Sequence, residues 1–153
     1  MASDFRKIYH IQGTEQQFWD TLYNERNLEK ALNLDSRNGM HPRVGHEFIW
    51  EINGHRVKGK VAEVELANTS STRLVFHWRF DELELRDIWP EEHFAQTTLI
   101  TGDQSDVVYV ELIISNIPGE SAEYDRARRL WGEHIIEKIG RFLQSEPELE
   151  RPY

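Results

Sequence analysis

Three side chains in this sequence have the chemistry for proton transfer. His77 and Arg79 lie in a run with the alternating pattern of a β-strand, and His134 lies in a helical pattern near the C-terminus. A basic group inside a cavity can act as a general acid or base if its pKa is shifted. The alternation, however, places His77 and Arg79 on the outer face of the strand, and His134 lies on the flank of its helix. An acid–base enzyme is therefore a third hypothesis, behind two developed below.

Other signatures of catalysis are missing from the sequence. It contains no Gly-x-Ser-x-Gly elbow and no glycine-rich phosphate loop. It contains no cysteine, which excludes disulfides, thiolate metal ligands and a cysteine nucleophile. The seven histidines include no i, i+4 pair and no cluster with carboxylates. We therefore expect a regulator or binding domain, with no catalytic residue, no cofactor and no metal.

A group of aromatic, proline and charged residues lies between two predicted strands. Trp78-Arg79-Phe80 ends one strand, and the sequence Trp89-Pro90-Glu91-Glu92-His93-Phe94-Ala95 leads into the next, after the acid-rich segment 81–88. Large side chains surrounded by charges are typical of a specific protein interface. We predict a partner-binding rim made of Arg79, Trp89, Pro90, Glu91, His93 and Phe94. The alternative is that Trp89 and Phe94 only pack over the sheet edge while Pro90 shapes the turn.

A second group of apolar residues is expected between the sheet and the last helix. Its members are Phe48, Trp50, Phe76, Trp78, Trp131 and Ile135. If the helix packs closely, these residues simply fill the core, as aromatic residues commonly do. If the helix leaves a gap, they line a cavity for a small hydrophobic ligand. Binding or transport of such a ligand is the alternative to protein docking.

The hydrophobic pattern predicts the elements that position these residues. A capping box of Thr14 and Gln17 begins a helix, and Asn53-Gly54 is a type I′ hairpin signal. Period-two alternation predicts strands, and the 3.6-residue period predicts helices. The predicted order is a strand over 5–12, helices from 14 and over 28–34, strands over 48–52, 57–64, 74–80, 94–101 and 106–115, and a long helix over 121–144.

This order predicts an α+β fold, in which a curved antiparallel sheet of about six strands wraps around a long C-terminal helix. The length predicts one domain, 1–145, followed by a flexible tail, 146–153. The net charge of -9 disfavours nucleic acid and anionic lipid as partners. Because no signal peptide or membrane-spanning run is present, the expected location is the cytoplasm.

The central motifs resemble a known family. Trp78-Arg79-Phe80, Trp89-Pro90-Glu91, His93-Phe94-Ala95, Ile117-Pro118 and the pair Arg128 and Trp131 are similar to the C-terminal domain of the activator of the heat shock protein 90 ATPase. That domain has a START-like (helix-grip) fold. The resemblance implies docking on heat shock protein 90, as a co-chaperone that regulates the chaperone's ATPase and conformational cycle.

The sequence departs from that family at three points. No N-terminal activator domain precedes Met1, so weaker binding is expected because a second contact with the chaperone is lost. The segment between Phe80 and Trp89 is longer and more acidic than in the family, which would change the contact surface. Leu130 replaces a glycine that the family favours before Trp131, so the helix packing is expected to differ.

Overall fold

The computed structural model describes residues 4–23, 25–32, 45–66, 71–104, 106–119 and 121–145. The strands are β1 (Phe5–Gln12), β2 (Glu47–Ile52), β3 (His55–Leu66), β4 (Ser71–Phe80), β5 (Ala95–Gln104) and β6 (Val107–Ser115). The helices are α1 (Glu15–Tyr23), α2 (Glu25–Leu32), α3 (Ser121–Arg128) and α4 (Glu137–Gln144). A 3₁₀ turn, Leu83–Leu85, lies between β4 and β5, and a π-helical segment, Arg129–Ile136, joins α3 to α4 in one C-terminal helix (121–144).

The six strands form one antiparallel sheet in the order β1-β6-β5-β4-β3-β2. Strands β2 to β6 follow each other as a meander, and β1 returns to pair with β6. The β2–β3 turn has positive φ at Asn53 (49°) and Gly54 (82°), as the hairpin signal predicted. The pairing of β3 with β4 shifts register between Val61 and Glu63, as at a β-bulge, a feature that generally bends a strand. The predicted α+β class, with two early helices and a long final helix, is confirmed.

The start of α1 follows the predicted capping box. The Gln17 backbone N–H donates to Thr14 Oγ1 at 3.1 Å, and the Thr14 N–H donates to Gln17 Oε1 at 3.0 Å. The second helix begins at Glu25, three residues before the predicted start, and its predicted end at Leu34 lies outside the described residues. The predicted tail, 146–153, lies outside them too.

The β5–β6 connection is shorter than the sequence indicated. The predicted strands, 94–101 and 106–115, leave residues 102–105 for the turn, but Gly102 pairs with Tyr109 and Gln104 pairs with Val107. The left-handed backbone of the turn falls on Asp106, with φ 64°. The reason is visible at Gly102, because the Tyr109 ring occupies the space that a side chain on residue 102 would need. The glycine therefore belongs to the strand, where a cross-strand aromatic ring covers it.

The C-terminal helix packs on the sheet through Trp131. Its ring stacks on Phe76 at 5.2 Å and lies 5.8 Å from Trp78 and 6.2 Å from Trp50, centroid to centroid. All four side chains are fully buried. Among the described residues, no helix is long and apolar enough to cross a membrane.

Gly132 allows this helix to approach β1. A Cβ on residue 132 would lie 2.2 Å from Tyr9 Oη and 3.2 Å from Tyr9 Cζ. We expect Gly132→Ala to lower the free energy of unfolding by about 1–3 kcal/mol, because the extra methyl group overpacks the contact. Urea denaturation measures the change.

Two matched variants control this prediction. Tyr9→Phe removes the oxygen that clashes with the new methyl group. The double variant Gly132→Ala/Tyr9→Phe should therefore recover much of the stability that Gly132→Ala loses. Gly140→Ala places its methyl group at an ordinary 3.5 Å from Ile11, so that variant should be neutral or slightly stabilising. Equal losses for both glycine substitutions would show that the contact with Tyr9 is not the cause.

Candidate functional site

Trp89 is an internal anchor of the segment between β4 and β5. Its side chain is fully buried, and its ring lies 5.3 Å from that of Trp78 and 5.2 Å from that of Phe80. Its Nε1–H donates to Glu123 Oε1 on α3 at 2.8 Å. The sequence left open whether Trp89 contacts a partner or packs over the sheet. In the structure Trp89 packs over the sheet. This side chain fixes the segment to the C-terminal helix and is not presented to solvent.

Arg79 was predicted to lie on the outer face of its strand and to belong to the partner-binding rim, but its side chain is buried. Only 3% of its side chain is exposed. Its Nη1 donates to Asp81 Oδ1 at 3.1 Å, and its Nη2 donates to the backbone carbonyl of Trp89. The alternation of β4 does point Arg79 away from Trp78, but the segment 81–94 folds back and covers it. Arg79 therefore holds this segment in place and is inaccessible to a partner.

The remaining members of the predicted rim lie at the surface. Glu91 is exposed and accepts a hydrogen bond from Arg86 Nη1 at 2.6 Å. The half-buried His93 contacts the Asn116 carbonyl through Nε2 at 2.9 Å, and Asn116 Nδ2 donates to the Phe94 carbonyl at 2.8 Å. Pro90 and Phe94 are half-buried. The six predicted residues are thus brought together in one corner, as buried anchors and a partly exposed rim.

The sequence-based reasoning missed the exposed apolar residues of this corner. Leu83 is 80% exposed and Ile88 is 40% exposed. Four exposed acidic residues accompany them in the same segment, and we call the six together the acidic–apolar face: Leu83, Glu84, Asp87, Ile88, Glu91 and Glu92. The sequence did contain a signal for this surface. Leu83 and Ile88 lie in an acidic stretch that lacks the alternation of a strand, and such residues are often exposed.

The predicted cavity residues pack against one another. Phe48, Trp50, Phe76, Trp78, Trp131 and Ile135 are all buried. The Phe48 and Trp50 rings lie 4.3 Å apart, and the Trp131 ring contacts three of the others as described above. One polar atom in this group is unusual, because Trp131 Nε1 is buried without a hydrogen-bond partner among the described residues.

Two clefts lie on either side of the β2–β3 turn and share Asn53 and His55. One has a volume of about 550 Å³ and is lined by Glu51, Asn53, Gly54, His55, Arg56, Asp81, Glu82, Leu83 and Glu84. The other lies between the turn and the C-terminal helix and has a volume of about 270 Å³. We call the second one the turn–helix cleft, and its lining consists of Asn53, His55, Ala122, Asp125, Arg126, Arg129 and His134.

His134, one of the three acid–base candidates, lines the turn–helix cleft. Its Nε2 lies 3.2 Å from Asn53 Nδ2. Burial lowers the pKa of His134 below its ordinary value, and the nearby positive charge of Lys138 lowers it further. The other two candidates, His77 and Arg79, do not line either cleft. Within the described parts of the chain, no three histidine or acidic side chains are grouped so that they could hold a metal ion.

The architecture of the chain matches that of several solved structures. No family model matches the chain, and no curated protein matches its sequence. The structure is similar to an HSP90 activator from Plasmodium falciparum, with a TM-score of 0.71 and 16% identity over 94% of this chain and 97% of that one. The chain has the START-like helix-grip fold. The predicted fold is thereby confirmed.

Other proteins share this fold. An Aha1 dimer from Colwellia psychrerythraea matches with a TM-score of 0.60 and 14% identity, over 95% of this chain and 93% of that one. DynU16, a protein in the dynemicin biosynthetic locus, matches with a TM-score of 0.70 and 14% identity, over 99% of this chain and 51% of that one. At such identities the likeness shows the fold, and one fold hosts many functions.

Proposed function

We propose that this domain docks on heat shock protein 90 and regulates its ATPase and conformational cycle. The observation that carries the proposal is the similarity to an HSP90 activator along almost the whole length of both chains. The resemblance of the motifs around Trp78 and Trp89 to the activator family supports the same function. Regulation of this kind requires no chemistry by the domain itself, since a protein that binds one chaperone state more tightly shifts the population toward that state.

The acidic–apolar face is the surface that we propose for docking. Leu83 and Ile88 can bury apolar area against a partner, and the surrounding carboxylates can guide association with a basic surface. The buried motif residues then have an indirect role. Arg79 and Trp89 hold the ends of the segment against β4 and α3, so the face is presented in one conformation and costs little ordering entropy on binding.

Substitutions on the face test the docking surface directly. We expect Leu83→Asp and Ile88→Asp each to weaken binding to heat shock protein 90 by about tenfold, because an apolar contact is replaced by a buried charge. The measurement is an NMR titration of the labelled domain with the chaperone, with and without a non-hydrolysable nucleotide, alongside an ATPase assay.

The matched control is Ile8→Asp, since Ile8 is also exposed, at 52%, but lies on the edge strand β1, which β6 separates from β5. Binding by that variant should stay within about twofold of the original. Absence of binding in every nucleotide state would contradict the proposed function. Equal weakening by all three variants would instead contradict the proposed surface.

A second candidate function is binding of a small hydrophobic ligand between the sheet and the C-terminal helix. The observation that favours it is the buried Trp131 Nε1–H, a donor that has no hydrogen-bond acceptor among the described residues. A ligand with one hydrogen-bond acceptor would satisfy it. Such binding would require the Trp131 ring to move away from Phe76 and Trp78, with which it is packed.

A further inference from the structure

The turn–helix cleft contains more hydrogen-bond donors than acceptors. Arg129 uses its Nε in an ion pair with Asp125 Oδ2 at 3.1 Å, and Arg126 Nε lies 3.4 Å from Glu123 Oε1. Among the described residues, the terminal Nη groups of Arg126 and Arg129 have no acceptor. Asp125, the single carboxylate of the lining, already pairs with both Arg128 and Arg129. The groups that remain able to hydrogen-bond a ligand in this cleft are therefore the guanidinium donors of Arg126 and Arg129.

We propose that the turn–helix cleft binds a small molecule through an oxyanion group, either a phosphate or a carboxylate. Two guanidinium groups with free terminal N–H groups are the donors that suit such an anion, because each can make paired, charge-assisted hydrogen bonds. The volume of about 270 Å³ is close to the lower limit for ligand pockets, so it suits a metabolite-sized anion.

The π-helical segment contributes to this cleft by changing which residue faces it. In a regular α-helix, the residue four positions after Arg129 lies on the same face, and that residue is Glu133. The wider turns of Arg129–Ile136 instead place His134 in the lining, while Glu133 is exposed to solvent. π-Helical turns often occur at functional sites. Here the segment keeps a carboxylate out of the cleft and supplies an imidazole in its place.

The electrostatic surroundings of His134 agree with a cationic cleft. After burial, the positive charge of Lys138 is the largest cause that lowers its pKa, Arg129 also lowers it, and Glu133 acts in the opposite direction. The Asn53 amide donates to the ring nitrogen that it contacts, which fits a neutral imidazole. This positive environment is local, because the whole chain carries a net charge of -9. Anion binding here does not depend on docking to the chaperone.

The experiment uses the full chain with labelled arginine and histidine side chains. Inorganic phosphate and succinate are added separately at constant ionic strength, and the Arg126 and Arg129 Nε–Hε signals are followed by NMR. We expect saturable shifts with at least one of the two probes, and the probe that binds more tightly identifies the oxyanion class. Arg129→Gln and Arg126→Gln should each weaken binding by about tenfold, the loss of one charge-assisted interaction.

Two further variants make the test specific. Arg73→Gln removes a comparably exposed arginine that pairs with Glu63 on the sheet, and it should leave binding within about twofold. His134→Glu introduces the carboxylate that the π-helical segment excludes, and it should abolish binding. Thermal unfolding verifies that each variant is folded, and the more exposed Arg129 carries the test if Arg126→Gln does not fold. Absence of saturable shifts with both probes, or an equal loss in Arg73→Gln, overturns the proposal.

Discussion

Replacing Trp89 by alanine is expected to lower the free energy of unfolding by roughly 3–5 kcal/mol, the cost of removing a large side chain from a core. The ring is fully buried against Trp78 and Phe80, so its loss leaves a cavity between β4 and the C-terminal helix. It also leaves Glu123 Oε1 without the indole donor. Urea denaturation followed by circular dichroism measures the change.

Trp89→Phe is the control for this prediction. Phenylalanine keeps most of the ring contact with Trp78 but loses the hydrogen bond to Glu123, so a smaller loss of about 1–2 kcal/mol is expected. A folded Trp89→Ala variant with unchanged stability and lost chaperone binding would contradict the role as an internal anchor. Trp89 would then belong to the contact surface itself, as the rim prediction had it.

Replacing Trp131 by alanine is expected to have an effect of the same size, about 3–5 kcal/mol. Trp131 lies at the centre of the core and contacts Trp50, Phe76 and Trp78, so no neighbour can fill the space without leaving its own contacts. Trp131→Phe should cost clearly less, because the indole N–H that it removes has no partner among the described residues. Unfolding free energies of the two variants give the comparison.

The Trp131 pair also separates the two candidate functions. If Trp131→Phe is as costly as Trp131→Ala, the indole N–H makes a favourable interaction with something held in the core. That result would show that the Trp131 N–H has a hydrogen-bond partner after all, and it would favour a bound ligand. A small effect of Trp131→Phe, in contrast, agrees with a core filled only by the protein's own side chains.

Residues whose environment is set by local spacing were predictable from the sequence. Leu74, Phe76, Trp78 and Phe80 alternate along β4 and are all buried. The Asn53-Gly54 turn and the Thr14 capping box are equally local, since each depends on residues within a few positions. These signals, together with the final amphipathic helix, were enough to predict the α+β architecture.

The surroundings of the candidate sites depend on contacts between distant residues and were not predictable in this way. Alternation correctly gave the side of β4 on which Arg79 lies, but it carries no information about the segment that covers that side. The same holds for Trp89, whose hydrogen bond to Glu123 spans 34 residues. The wide turns of Arg129–Ile136 have the apolar pattern of an ordinary helix, so the placement of His134 in the cleft could not be foreseen.

The pairing of β1 with β6 has a consequence for how the chain folds. Phe5 pairs with Ile114, so the first strand cannot take its place in the sheet before β6, the last strand, is available. Contacts this distant in sequence require closure of a long loop and slow the folding of a domain. During synthesis, β1 leaves the ribosome first and stays unpaired until β6 follows. Completion of the sheet therefore waits for the last of its six strands.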